Sequence, residues 1–131
     1  MYEPIRTPSV HSPADEADFP HRSREEELDI QLAGHLAALL AVTDELGLVP
    51  AGDRIAEQVA RLRGGPPARH AALTDAAPAS LHRRAHALAG RALVVAASRA
   101  DTTAAILSAQ RMDAHTEALA STAAEQLVGA R

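Results

Sequence analysis

Apolar residues recur at three- and four-residue steps between residues 28 and 46, and this spacing predicts one long amphipathic helix. The stripe consists of Leu28, Leu32, Leu36, Leu39, Val42 or Thr43, and Leu46. At its start, Ser23 and Glu26 form a capping-box pattern, in which each side chain accepts a hydrogen bond from the backbone N–H of the other. At its end, Gly47 suits a left-handed position and Pro50 prevents continuation. We expect the rest of the chain to pack around this helix.

A second, shorter helix is predicted from about Asp53 to Arg63, and Gly64 ends it. Its apolar stripe consists of Ile55, Val59 and Leu62, with Ala56 and Ala60 beside it. The connection over residues 48–52 is short, so the first two helices are expected to be antiparallel neighbours. Residues 64–79 are rich in Gly and Pro and are predicted to be a linker that contains one helical turn at residues 68–73.

A third helix is predicted from about Ala79 to Ala97, and a fourth from about Asp101 or Thr102 to Gly129. The buried face of the third helix consists of Leu81, Ala85, Leu88, Ala92 and Val95. A continuous helix would bring Arg99 onto that face, which favours a break at residues 98–101. The predicted stripe of the fourth helix consists of Ala105, Ala109, Met112, Thr116, Leu119, Ala123 and Leu127.

One alternative is that residues 79–129 form a single rod. A strict seven-residue repeat supports it, through Leu81, Leu88, Val95, Thr102, Ala109, Thr116 and Ala123. Such a rod would be about 70 Å long, so it would have to dimerise to bury its stripe. The second half of the repeat is polar and rich in Ala, which makes a poor coiled-coil seam, and the broken version is therefore favoured.

Residues 1–22 are predicted to be a disordered arm, because four Pro residues interrupt a polar segment without periodicity. Residues 1–30 contain eight acidic residues and three Arg, which gives this segment a net charge of −5. The whole chain has a net charge of −4, so the excess of acidic residues lies near the N-terminus. An inert tail is the favoured interpretation of the arm, and a segment that binds a protein partner is the alternative. The predicted fold is an all-α antiparallel bundle of three to four helices over residues 23–131, preceded by this arm.

The composition limits the core and the possible chemistry. There is no Cys, so thiol chemistry, disulfides and Cys-based zinc sites are excluded. No apolar run approaches the ~18 residues of a membrane span, and a cytoplasmic protein is expected. The only aromatic residues are Tyr2 and Phe19, so the helices must pack through aliphatic side chains and Ala. Such a core buries little area per residue, which favours a homodimer.

Histidines and arginines of the third helix are the main candidates for binding. His82 and His86 are four residues apart, which is the spacing of a two-histidine metal half-site, and His35 and His115 lie on other helices from which they could converge. No Glu follows in the metalloprotease pattern, and we assign no metal site. Candidates for binding an anion or nucleic acid are Arg83, Arg84 and Arg91. The acidic chain and the lack of aromatic residues for base stacking argue against nucleic acid as the main ligand.

The sequence lacks three motifs that are typical of particular enzyme classes. The pair Gly64 and Gly65 is not followed by the Lys of a phosphate-binding loop, no nucleophile elbow occurs, and no Glu-x-x-His motif is present. We therefore assign no catalytic and no cofactor-binding residues. The expected function is that of a non-catalytic helical interaction or accessory protein that self-associates. The alternative is a transcription-associated or nucleic-acid-binding regulator.

Overall fold

The computed structural model describes residues 22–72 and 74–129, and over these residues it is an all-α bundle without strands. The helices are α1 (Arg24–Glu45), α2 (Val49–Arg63), α3 (Pro78–Arg99) and α4 (Thr102–Gly129). The predicted all-α fold of three to four helices is confirmed. The arm predicted for residues 1–22 lies, except for Arg22, outside the described residues. None of the four helices is long and apolar enough to cross a membrane.

Helix α1 begins and ends as its sequence predicts. The hydroxyl of Ser23 accepts a hydrogen bond from the Glu26 N–H at 3.1 Å, and the Glu26 carboxylate accepts one from the Ser23 N–H at 2.8 Å. Three Glu residues in the first turn complement the positive end of the helix dipole. Gly47 has a φ of 72°, the left-handed conformation that the prediction required.

Helix α2 begins at Val49, four residues before the predicted start at Asp53. The prediction treated Pro50 only as a stop for α1, whereas Pro50 also lies in the first turn of α2. Proline is favoured there because the N–H that it lacks would have no partner within the helix anyway. The predicted end is confirmed, since Gly64 caps the helix with a φ of 81°.

Helices α3 and α4 are separate, as the favoured prediction stated. Ala100 adopts a left-handed conformation with a φ of 60°, and the carboxylate of Asp101 accepts a hydrogen bond from the Ala104 N–H at 3.1 Å, which starts α4. The single rod is therefore wrong. Arg99, the residue that motivated the break, lies at the end of α3 and donates a hydrogen bond to Asp29 of α1 at 3.0 Å.

The helices form a ring in which α1 packs against α2 and α3, α3 packs against α4, and α2 touches α4 only lightly. The pair of Asp29 and Arg99 joins the start of α1 to the end of α3, so these helices are antiparallel. Arg61 donates to Asp101 at 2.8 Å and joins the end of α2 to the start of α4. The core is aliphatic, and its large members are Leu32, Leu36, Leu39, Leu40, Val42, Ile55, Val59, Leu81, Leu88 and Leu107.

The segment between α2 and α3 contains no helical turn over residues 68–72, so this prediction was wrong for the described residues. A tertiary contact replaces the local one. Arg69 donates hydrogen bonds to the carboxylates of Asp44 and Asp53, and the backbone N–H of His70 donates to Asp44 at 3.0 Å. The segment is thereby fastened across the start of α2.

The buried face of α4 is displaced by one residue from the predicted stripe. Its buried residues are Ala104, Leu107, Ser108, Arg111 and His115. Of the predicted stripe, Ala105 and Met112 pack at the margin of the core, whereas Thr116, Ala123 and Leu127 are exposed. One residue corresponds to about 100° of rotation around the helix axis. The prediction placed Ala109, Met112 and Thr116 on the buried face, but α4 turns Ser108, Arg111 and His115 inwards.

Candidate functional site

The main polar cluster of the interior lies between α3 and α4 and centres on two histidines. The Nδ1 atoms of His82 and His115 are 2.8 Å apart, and the ring centroids are 5.1 Å apart. A hydrogen bond between two such nitrogens requires that only one of them carries a proton. Because an Arg can only donate, the 3.4 Å contact of Arg111 Nη2 with His115 Nε2 makes that Nε2 the acceptor. This network therefore assigns the Nδ1 proton to His115, which donates to His82.

Both histidines of the cluster are held neutral. Burial lowers the pKa of His115 to about 4, and the nearby charge of Arg111 acts in the same direction. Burial also lowers the pKa of His82, again with a contribution from Arg111. A neutral pair is consistent with the single shared proton. An imidazole with a pKa of about 4 is a weak base at neutral pH, so this pair is poorly suited to general base catalysis.

Arg111 is a buried cation without an ion-pair partner among residues 22–72 and 74–129. Its exposed fraction is 8%, and burial lowers the pKa of its guanidinium, with a further contribution from the charge of Arg54 on α2. Its Nε atom and the hydroxyl of Ser108, one turn earlier on α4, have no hydrogen-bond partner within the described structure. Unsatisfied buried polar groups cost about 1–3 kcal/mol each, so this cluster destabilises the bundle.

His82 and His86, which have the spacing of a two-histidine half-site, make different contacts. His82 is hydrogen-bonded to His115, whereas His86 lines a groove on the outer surface between α3 and α4. His35 on α1 makes none of the described contacts with His82 or His115, whereas His86 lies close enough to His115 to contribute to its lowered pKa. No group of three His, Asp or Glu residues within the described ranges is arranged to hold a metal ion.

The three arginines of the predicted anion face are all exposed on α3, and only Arg83 lines the groove beside α4. Arg84 and Arg91 are seven residues apart and share one line along the helix. Arg83 is offset from Arg84 by about 100° around the axis of α3. It lines the groove between α3 and α4, together with His86, Thr116 and Leu119. The volume of this groove is about 220 Å³. Arg83 is therefore the arginine that adjoins α4.

The C-terminal half of α4 carries an exposed surface that includes three residues of the predicted buried stripe, Thr116, Ala123 and Leu127. Four exposed residues at steps of four, three and four define it, and we call them the outer stripe: Thr116, Ala120, Ala123 and Leu127. Leu127 and the adjacent Val128 have exposed fractions of 71% and 65%. Within residues 120–129 only Thr122 is partly buried. The helical spacing was recognised correctly, but no element among residues 22–72 and 74–129 covers this surface.

Ser108 and Arg111 were missed by sequence reasoning as interior residues. They recur at helical spacing with Ala104 and His115, and this was the signal that could have found them.

Comparison of the chain with models of protein families, with curated proteins and with solved structures found no match.

Proposed function

We propose that the protein is a non-catalytic helical interaction protein that self-associates, and that two copies meet through the outer stripe of α4. The single observation that carries the proposal is the exposed C-terminal half of α4, which extends an apolar surface into solvent. Catalysis has less support, because a His115 imidazole with a pKa of about 4 is a weak base and the Ser108 hydroxyl has no base within hydrogen-bond reach in the described residues.

The length of α4 supports a missing partner. The helix has 28 residues and its neighbour α3 has 22, so α4 is longer by about 9 Å. Most of the stability of a protein helix comes from packing of its apolar face, and isolated segments shorter than ~12–15 residues are marginal in water. The exposed segment of residues 120–129 would gain stability from a surface that covers Leu127.

The spacing of the outer stripe favours a second copy as that partner. Steps of four, three and four residues are those of a coiled-coil seam, in which two helices of the same kind bury the same positions. Ala at two of the four positions allows the helix axes to approach closely. Leu127 supplies the largest apolar side chain of the stripe and would be buried at its end.

Light scattering coupled to size-exclusion chromatography tests the proposal at several protein concentrations. We expect a dimer at micromolar concentration and its loss in Leu127→Gln, which replaces an exposed side chain and should leave folding intact. The matched control is Ile30→Gln, because Ile30 is an exposed apolar residue of α1, far from the stripe. A monomer at all concentrations, or a dimer unchanged by Leu127→Gln, would refute the proposal.

A second candidate function is binding of nucleic acid through Arg83, Arg84 and Arg91. It is favoured by the exposure of all three, since none forms an ion pair within residues 22–72 and 74–129. Fluorescence anisotropy with a labelled DNA duplex at low salt tests it. Binding that weakens with salt and is lost when all three become Gln would support it. No anisotropy change at 50 µM protein would exclude it.

A further inference from the structure

We infer that the two copies pair with their α4 helices parallel and in register, so that Arg83 of each copy faces Glu117 of the other. The inference rests on the proposed self-association and specifies its geometry. It follows from the charges on the two edges of the outer stripe, which have opposite signs, and from the symmetry of a dimer.

One edge of the outer stripe is basic. Arg83 and His86 of α3 line the groove beside Thr116 and Leu119, so they flank the stripe on the side of α3. Arg83 is exposed, and none of the described ion pairs involves it. Its guanidinium is therefore available to a charged group of a second copy that packs on the stripe.

The opposite edge is acidic. Asp113 and Glu117 are exposed and four residues apart, so they lie one above the other along α4. They lie on the side of Thr116 that faces away from α3, because at about 100° per residue positions 113 and 117 are roughly 120° and 160° around the helix from position 119, which lines the groove. Residues 112–129 contain no basic residue except His115, which is buried, so this edge has no compensating positive charge of its own.

Symmetry decides which edges meet. When two helices pack face to face around a two-fold axis parallel to them, the basic edge of each copy faces the acidic edge of the other. When the axis is perpendicular and the helices are antiparallel, like edges meet, and like charges repel. Arg83 and Glu117 both adjoin Thr116, so they lie at the same height on the bundle. A parallel dimer in register therefore brings them together twice, once on each side of the seam.

Cross-linking distinguishes the two arrangements, because the chain has no Cys and a single introduced Cys reacts only with its copy. Positions 116 and 127 are about 16 Å apart along the helix. In a parallel dimer, Thr116→Cys and Leu127→Cys each place the two sulfurs within disulfide reach, which requires Cβ atoms about 3.5–4.5 Å apart. In an antiparallel dimer at most one of the two positions lies on the axis. We expect both single variants to form covalent dimers under mild oxidation of the full chain.

A charge exchange tests the contact itself. We expect Arg83→Glu and Glu117→Arg each to raise the dissociation constant of the dimer roughly 10-fold, since each alters two symmetric pairs, and we expect the double variant to restore it. Arg84→Glu is the matched control, because Arg84 is exposed one residue further along α3 and away from the groove, and it should leave the dimer unchanged.

The outcomes separate this inference from the proposed function. A wild-type protein that light scattering shows to be monomeric refutes both. A dimer that cross-links at one position or at neither, or that is tightened by Arg83→Glu, refutes the parallel arrangement and leaves self-association standing. A dimer that cross-links at both positions but is not restored by the charge exchange refutes the pairing of Arg83 with Glu117.

Discussion

Arg69 donates two hydrogen bonds to the carboxylate of Asp44, from Nη2 at 2.8 Å and from Nε at 3.0 Å, across 25 residues of sequence. The pair fastens the segment between α2 and α3 to the end of α1. The Asp44 side chain is almost fully buried, so its charge requires these donors. The hydrogen bonds from Arg69 lower the pKa of Asp44, although burial opposes them. The segment is thus held by a charged contact instead of by local helical structure.

Replacing Asp44 by Asn should lower the free energy of unfolding by about 1–3 kcal/mol at pH 7, because a charge-assisted pair is lost from a buried position. The effect should depend on pH. A carboxylate with a lowered pKa stabilises the fold above the usual value of 3.8 and loses this contribution as the pH falls through its folded pKa. Urea unfolding of both proteins at pH 7 and pH 3 measures the difference. An equal difference at both pH values would contradict the assignment.

Gly52→Ala should disturb the same contact. A Cβ atom at position 52 would lie 2.7 Å from Arg69 Nη2 and 2.9 Å from Asp44 Oδ1, so the guanidinium would have to move. We expect a loss of about 1–3 kcal/mol, as for other overpacked positions. Gly34→Ala is the matched control, because Gly34 is in the interior of α1 with no atom within 4 Å of the added Cβ. It should stabilise by about 0.5–1 kcal/mol. Thermal melting of both variants checks the contrast, which a similar shift in both would contradict.

The sequence predicted those parts of the fold that depend on local chemistry. The capping box of Ser23, the left-handed Gly47 and Gly64, and the break before Asp101 each arise from residues within one or two turns of one another. Contacts across the chain were not predictable in this way. Asp44 and Arg69 come into contact only when α2 packs back against α1. The charge pattern around residue 69 does not distinguish this contact from a helical turn.

The rotation of α4 was not predicted, because the hydrophobic contrast around this helix is weak and the spacing of Ala104, Ser108, Arg111 and His115 is the only signal for the buried face. The observed buried face contains Ala104 and Ser108, and the predicted face contains Ala105 and Ala109. Positions 104 and 105 carry the same residue, and the side chains of Ser108 and Ala109 differ little in size. Only the step from Arg111 to Met112 favours one face clearly, and there the structure buries the Arg. The long apolar stem of an Arg can lie against a core while its guanidinium contacts His115, which a residue scale does not represent.

His115 should make the stability of the protein depend on pH between about 4 and 6.5. Its pKa is about 4 in the fold and about 6.5 in the unfolded chain, so the unfolded state binds the extra proton in this range. The free energy of unfolding has its full value above pH 6.5, where the imidazole is neutral in both states. It decreases as the pH falls towards 4, by a total on the order of 3 kcal/mol. Denaturant unfolding from pH 7 to pH 4 measures this slope.

The slope should decrease in His115→Gln, which cannot be protonated in this range, and should persist in His35→Gln, which replaces a histidine outside the buried pair. This pH window lies above the one in which the contribution of Asp44 is lost, so a series extended from pH 7 to pH 3 separates the two contributions. Equal slopes in the wild type and in His115→Gln would show that His115 is not held neutral by the fold.

Arg111→Met should leave the free energy of unfolding unchanged or raise it by up to about 2 kcal/mol, although it removes a buried residue. Met keeps much of the apolar volume and removes a desolvated charge that has no ion-pair partner in residues 22–72 and 74–129, and such replacements are often neutral or stabilising. Ser108→Ala should behave likewise, because the hydroxyl makes no hydrogen bond there. The matched control is Gln110→Met, an exposed substitution on α4 that should be neutral. Chemical denaturation measures all three, and a loss of 3 kcal/mol or more in Arg111→Met would show that the guanidinium has an anionic partner in the native protein.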